Sequence, residues 1–175
     1  MAELFELTNT ERVLSEMGLE IAKAYKANLL THEHIASNQL YQSIQHYVEV
    51  QGTTYLVYMS MADYWQYVEY DTKPHWPPHD VILKWIKVKK IVPRPDSRGR
   101  IPTPKQLAFL ISRAMAGKSP NQANCKNPNG GTTGTHDLET ARDSILDKWW
   151  DRLNEAIGED ATIYIGKLLK DVEVI

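Results

Sequence analysis

Six histidines and a single cysteine are the residues of this chain best suited to ligate a metal or attack a substrate. His32 and His34 stand two apart in a polar stretch and offer two ligands, but no third ligand follows at a metal-site spacing. His75 and His79 are four apart. Pro77 and Pro78 between them keep the pair off one helical turn, where zincin ligands sit. Cys125 could pair with His136 as thiol and imidazole, yet its polar surroundings supply no helix N-terminus to stabilise a thiolate. The stretch Gly130-Gly131-Thr132-Thr133-Gly134 lacks the Lys-Ser/Thr ending and the preceding strand of a phosphate loop, and reads as a flexible linker. Glu69 and Asp71 sit beside Lys73 as surface charges more than as an acid–base pair. Asp143, Asp147 and Asp151 recur at i, i+4 and i+8, an acidic ridge on a helix facing water. No pattern here is specific for a reaction, a metal or a cofactor, and the sequence predicts a protein that is not an enzyme.

The segment Tyr64–Pro78, YWQYVEYDTKPHWPP, holds Tyr64, Trp65, Tyr67, Tyr70 and Trp76. Its first half alternates as a strand does, with Trp65, Tyr67 and Glu69 on one face and Gln66, Val68 and Tyr70 on the other. Pro74, Pro77 and Pro78 lack the N–H that a ladder needs, so the second half is expected as a rigid, extended turn. Aromatic side chains on such a turn either pack the sheet against helices or anchor a partner. Trp65, Tyr67, Glu69, Lys73, His75 and Trp76 are the interface candidates it supplies.

The elements around this turn follow from periodicity. Thr8 and Glu11 form a capping box for a helix reaching about Leu30, with Leu14, Met17, Ile21 and Ala24 on one face. Thr31–Gln39 is a polar connection. Strands are expected over about 41–50 and 54–61, joined by a turn at Gln51-Gly52, and the third is 64–70. Asp80 caps a short helix to about Lys90 that buries Val81, Ile82, Trp85 and Ile86. Thr103-Pro104-Lys105-Gln106 is a second capping box, and its helix ends at Gly117. Residues 117–136 lack branched aliphatic and aromatic side chains and are expected as a flexible arm. A helix over about 137–156 carries Leu138, Ala141, Ile145, Trp149 and Leu153, widened by Leu146 and Trp150. Gly158 interrupts it, and about 161–171 forms a further helix or, through Ile163 and Ile165, a strand. The predicted class is α+β: a small antiparallel meander of three or four strands packed by an N-terminal helix and C-terminal helices, with long loop arms. One domain over 1–175 is expected, with a basic loop at 91–103, the arm at 117–136 and a C-terminal helical segment at 137–175.

Composition bounds the setting. The chain has 175 residues, 42% hydrophobic and 24% charged, enough for a buried core. No apolar run approaches the length of a membrane span, and no secretory leader is visible at the N-terminus. The lone Cys125 fits a reducing compartment. The net charge of −2 conceals segregation: Lys84–Lys118 holds ten basic residues and one acid, Asp96, a balance of +9 that leaves −11 elsewhere. Arg94, Arg98 and Arg100 lie in its loop. A segment of this kind serves nucleic acid, a head-to-tail contact between copies, or simply a solvated basic surface.

Two motifs carry a family resemblance. Ser37-Asn38-Gln39-Leu40-Tyr41-Gln42-Ser43-Ile44 resembles the T-G-x-L-x-x-S-I element of a tail-component family of tailed bacteriophages, the neck or tail-completion proteins. Tyr67-Val68-Glu69-Tyr70-Asp71-Thr72-Lys73-Pro74-His75 is similar to that family's Y-x-x-Y/V-E-x-G-T-x-P-H element, and Pro77-Pro78 with Trp85 to the P-P…W that follows. The likeness covers about residues 9–117 and, more loosely, the last helix. Asn38 and Asp71 replace family glycines, and both types tolerate positive φ. Residues 118–136 are longer than the family's turn and lack its Phe. The resemblance implies a virion protein without catalysis or cofactor, assembled in the host cytoplasm into a ring at the head–tail junction. Its partners would be further copies of itself, in roughly six- or twelve-fold symmetry, the portal or adaptor, the tail, and DNA passing through the lumen. In such a ring the basic segment meets the Asp143/Asp147/Asp151 ridge of a neighbour. The alternative is a nucleic-acid-binding module using residues 84–118.

Overall fold

The structure is a computed structural model and describes residues 7–32, 38–96, 98–119 and 129–172. Mixed helix and sheet are present, in the order α1 (Thr8–Thr31), α2 (Gln39–Ser43), β1 (Gln45–Gln51), β2 (Thr54–Ser60), α3 (Trp65–Glu69), α4 (His79–Val88), α5 (Pro104–Met115) and α6 (Asp137–Val172). Two compact units hold these elements: one takes in 1–32, 39–62 and 137–175, the other 33–38 and 63–136. Among the described residues no helix is long and apolar enough to cross a membrane.

The first unit is built on α1. Its Val13, Leu14, Met17 and Ile21 recur at helical spacing and are buried against Ile145, Trp149 and Ala156 of α6. Val48, Tyr55, Val57 and Met59 close this core from the inner face of the β1–β2 ribbon. The strands pair antiparallel from Gln45 with Ser60 to Gln51 with Thr54. Gly52 makes the turn with φ +62°. Gly18 lets α1 lie close on the ribbon, since an added Cβ there would meet Val57 Cγ1 and the His46 ring.

The two long helices are tied at both ends. The expected Thr8/Glu11 capping box is not formed: Leu7 is the N-cap residue, and no side chain there caps the helix. Asp160 of α6 does the capping instead. Its Oδ1 accepts from the Asn9 N–H and Nδ2 (both 3.0 Å), and its Oδ2 from the Thr10 N–H and Oγ1 (both 2.8 Å). A carboxylate at this place satisfies orphan N–H groups and faces the positive end of the helix dipole. At the opposite end His32 Nδ1 lies 2.6 Å from Oδ1 of the buried Asp137, and Asn28 Nδ2 donates to the Asp137 carbonyl.

Several expectations are corrected. The sheet has two strands rather than three or four, because 65–69 is helical. Trp65, Val68 and Glu69, the less exposed residues there, stand at i, i+3 and i+4, so helical burial overrides the apparent alternation. The first strand begins at Gln45, not Tyr41, because Gln39–Ser43 forms a helical turn. Ser43 Oγ closes that turn on the Leu40 carbonyl and accepts from the Ala62 N–H. In α4 the N-cap position is Pro78, Asp80 sits in the first turn, and Val81 and Trp85 are exposed while Ile82 and Ile86 are buried. The Thr103/Gln106 capping box with proline at the helix start is present. Gly158 does not interrupt α6, which runs unbroken for 36 residues. It is flanked by good helix formers, and one glycine costs a helix only about 1 kcal/mol.

Two outcomes test this organisation. Asp160→Ala is expected to cost about 2 kcal/mol in urea denaturation at pH 7, since the buried Thr10 N–H and the half-buried Asn9 N–H lose their acceptor. Burial raises the Asp160 pKa, but the hydrogen bonds from Thr10 and Asn9 outweigh it and hold the group below the ordinary carboxylate value. A depressed folded pKa gives stability above the unfolded value that is lost as pH falls through the folded one. The gap between native and variant should therefore be full at neutral pH and shrink in acid, below about pH 4. Gly158→Ala meets nothing within 4 Å and should raise the denaturation free energy by about 0.5–1 kcal/mol.

Candidate interaction surface

The second unit presents the aromatic turn and the basic segment. From α3 the chain runs extended to Pro78. The Trp65 and Tyr70 rings lie 5.9 Å apart, and Tyr70 meets His136 edge-on at 6.2 Å. Trp76 packs edge-on against Phe109 of α5 at 5.7 Å. The His75 N–H donates to the Met115 carbonyl, and its Nδ1 lies 2.9 Å from the Lys73 carbonyl. A shallow cleft of about 530 Å³ opens between Gln66, Tyr67, Asp71 and Lys73.

The glycine stretch is a built part of this unit, which corrects its reading as a flexible linker for residues 129–136. Thr132 bridges Thr72 through backbone and hydroxyl bonds. The N–H groups of Thr135 and His136 donate to the carbonyls of Val68 and Glu69, and Gly131 N–H to Met115. Close approach explains the glycines: a Cβ on Gly131 would overlap the Thr72 carbonyl, and one on Gly134 the Glu69 carbonyl. Asp71 holds the loop in place by accepting from the Gly134 N–H (2.8 Å). It does not use positive φ, whereas Asn38 does, at +57°.

Beyond α4 the basic loop has its own order. Asp96 accepts from the N–H groups of Arg98 and Arg100 and from the Arg100 guanidinium at 2.9–3.0 Å. The Arg100 N–H, followed by the other donors, keeps this carboxyl below its ordinary pKa. Between this loop and α5 lies a groove of about 550 Å³. Its apolar wall is Ile101, Pro102, Phe109 and Leu110, and its polar rim includes His79, Arg100 and Lys105. Behind it Ile82 and Ile86 of α4 pack on Ala108 of α5. Ala108 is wholly buried, its small side chain lying at the helix contact.

On α6, in the other unit, Asp143, Asp147 and Asp151 are exposed, and Asp143 pairs with Arg142 at 2.8 Å. Trp149 points inward, donating Nε1–H to Glu20. Trp150 points outward and is 63% exposed. Leu146, Trp150, Ile157, Tyr164 and Leu168 fall on one stripe, at steps of four, seven, seven and four residues. The sequence reading merged Leu146 and Trp150 with the core stripe. The separate outer stripe shows only once Trp149 is fixed as the inward member of the pair.

The interface candidates are thus divided. Tyr67 is 72% exposed, Trp76 is half exposed, Lys73 and His75 are exposed, and Trp65 is half-buried. Glu69 is wholly buried and cannot belong to an exposed interface. Arg94, Arg98 and Arg100 are exposed, with Arg100 engaged by Asp96. His34 and Cys125 lie outside the described residues, so the pairings of His32 with His34 and of Cys125 with His136 stay undescribed. His32 meets Asp137 instead. Of the groove wall, Ile101 and Phe109 carry no signal in the sequence beyond standing among basic residues, whereas Leu110 falls on the apolar stripe of its helix with Leu107, Ile111, Ala114 and Met115 and is nevertheless exposed.

In comparisons with known proteins, no family model, no curated protein and no solved structure matches this chain.

The glycine loop predicts a contrast between two substitutions at positive φ. Gly131→Ala should destabilise by about 2 kcal/mol or more, from backbone overlap added to conformational strain. Gly99→Ala, at φ +75° with nothing within 4 Å, should cost about 1 kcal/mol from conformation alone. Urea denaturation of the two variants checks the difference.

Proposed function

We propose that this chain is a structural protein of a tailed-phage particle, whose copies join into a ring at the head–tail junction between portal or adaptor and tail. The observation that carries this reading is the placing of opposite charge on separate exposed surfaces. Arg94, Arg98, Arg100 and Lys105 lie in one unit, and Asp143, Asp147 and Asp151 lie on α6 of the other. Surfaces of opposite sign at different places on one chain suit a heterologous contact, the kind that closes into a ring. Support also comes from the two sequence motifs in their order; of the two residues that stand where the resembling family has glycine, Asn38 has positive φ and Asp71 does not.

Binding of nucleic acid through the basic segment is the weaker reading. The Arg100 guanidinium is held by Asp96, and Arg113 Nε–H donates to the Lys118 carbonyl, so part of the segment's donor capacity is already engaged.

Size-exclusion chromatography with light scattering, together with negative-stain images of purified particles, tests the proposal. Ring oligomers of the purified chain, or its presence at the head–tail junction, are expected. A chain that stays monomeric and is absent from the particle would overturn the reading. DNA affinity that falls steeply with salt and disappears when Arg94, Arg98 and Arg100 are neutralised would favour the other.

A further inference from the structure

We infer that the outer face of α6 is a ligand for the groove of a second copy: Trp150, with Leu146 beside it, enters the cleft between the basic loop and α5. This rests on the ring reading and names the interface that would build it.

The two surfaces match in three respects. Both are exposed and apolar at the centre, with Leu146, Trp150 and Ile157 on the helix facing Ile101, Phe109 and Leu110 of the groove. Their flanking charges are opposite. Asp143, Asp147 and Asp151 run along one side of the helical stripe, while Lys105 stands at the groove. Among the groove's described lining residues Asp96 is the one carboxylate, and its pairing with Arg100 at 2.9 Å cancels both charges, so the positive charge left there is that of Lys105. The sizes also agree, since a cleft of about 550 Å³ accommodates an indole and a neighbouring leucine. An amphipathic helix laid in an apolar groove with a central Trp anchor and charged edges is a recurrent mode of association. The occupant is a second copy because this chain itself carries the helix of matching chemistry. The groove and the helix face are different surfaces, so each copy offers one of each and the contact propagates.

A mixing experiment on the full chain tests it. Trp150→Ala removes the anchor, and Leu110→Glu blocks the groove; both positions are exposed, so the fold is retained, which circular dichroism checks. Each variant alone should lose self-association by roughly tenfold or more in sedimentation velocity. Mixed, they should form a one-to-one pair that grows no further, joined by the intact helix of one and the intact groove of the other. The milder pair Asp147→Lys and Lys105→Glu should weaken association in the same direction. Oligomers unchanged in the variants would overturn this interface and leave the ring reading standing. A native chain that stays monomeric would overturn this interface, and the ring reading with it if the chain is also absent from the particle. Failure of the mixed variants to pair, with each alone monomeric, would also overturn the inference, because a heterologous contact requires that pairing.

Discussion

Asp160 reaches across 150 residues of sequence to satisfy the N–H groups at the start of α1. Much else in the first unit depends on that carboxylate. With Asp137 meeting His32 at the other end, it fixes α1 and α6 antiparallel along nearly the whole length of α1. Once that register is set, the side of α6 bearing Ala141, Ile145, Trp149 and Ala156 is directed inward. The stripe bearing Leu146 and Trp150 is then necessarily directed out. An exposed tryptophan is therefore a consequence of the clamp rather than a failure of burial. Most of the apolar residues at the end of the helix, among them Ile163, Ile165 and Leu169, are exposed too. Apolar surface of this extent commonly marks an interaction site.

The second unit reaches its surface by a different route. Its core is small, with Ile82, Ile86 and Ala108 at the centre. Order comes from polar and backbone links in short segments: Asp96 folds the basic loop around itself, Asp71 pins the glycine stretch, and the Met115 carbonyl receives two N–H groups. Such links fix loops while leaving apolar side chains outside, which is how Ile101, Phe109 and Leu110 come to line an open groove. In the proposed ring, the outward apolar stripe of α6 and this ordered groove are the two surfaces that neighbouring copies would bring together.

Local signals were legible in the sequence where local physics decides. The Thr103/Gln106 capping box, the hairpin turn at Gly52 and the end of α5 before Gly117 follow from the backbone preferences of a few adjacent residues. Signals that depend on distant partners were not. Thr8/Glu11 has a capping-box pattern, but Asp160 supplies the acceptor. Trp65–Glu69 alternates like a strand, yet buries Glu69 beside half-buried Val68 on a helical turn. The glycines at 130–134 resemble a linker because their packing partners, Thr72 and Glu69, are some sixty residues away. The same limit applies to the surface. The acidic ridge was visible from spacing alone, while the apolar stripe beside it required knowing which of two adjacent tryptophans faces the core.

The most direct measurement is a reconstruction of the assembled form at side-chain resolution. Trp150 of each copy is expected buried against Phe109 and Leu110 of its neighbour, with the acidic ridge beside Lys105. A ring in which Trp150 stays open to solvent and the groove is empty or filled by another protein would contradict it.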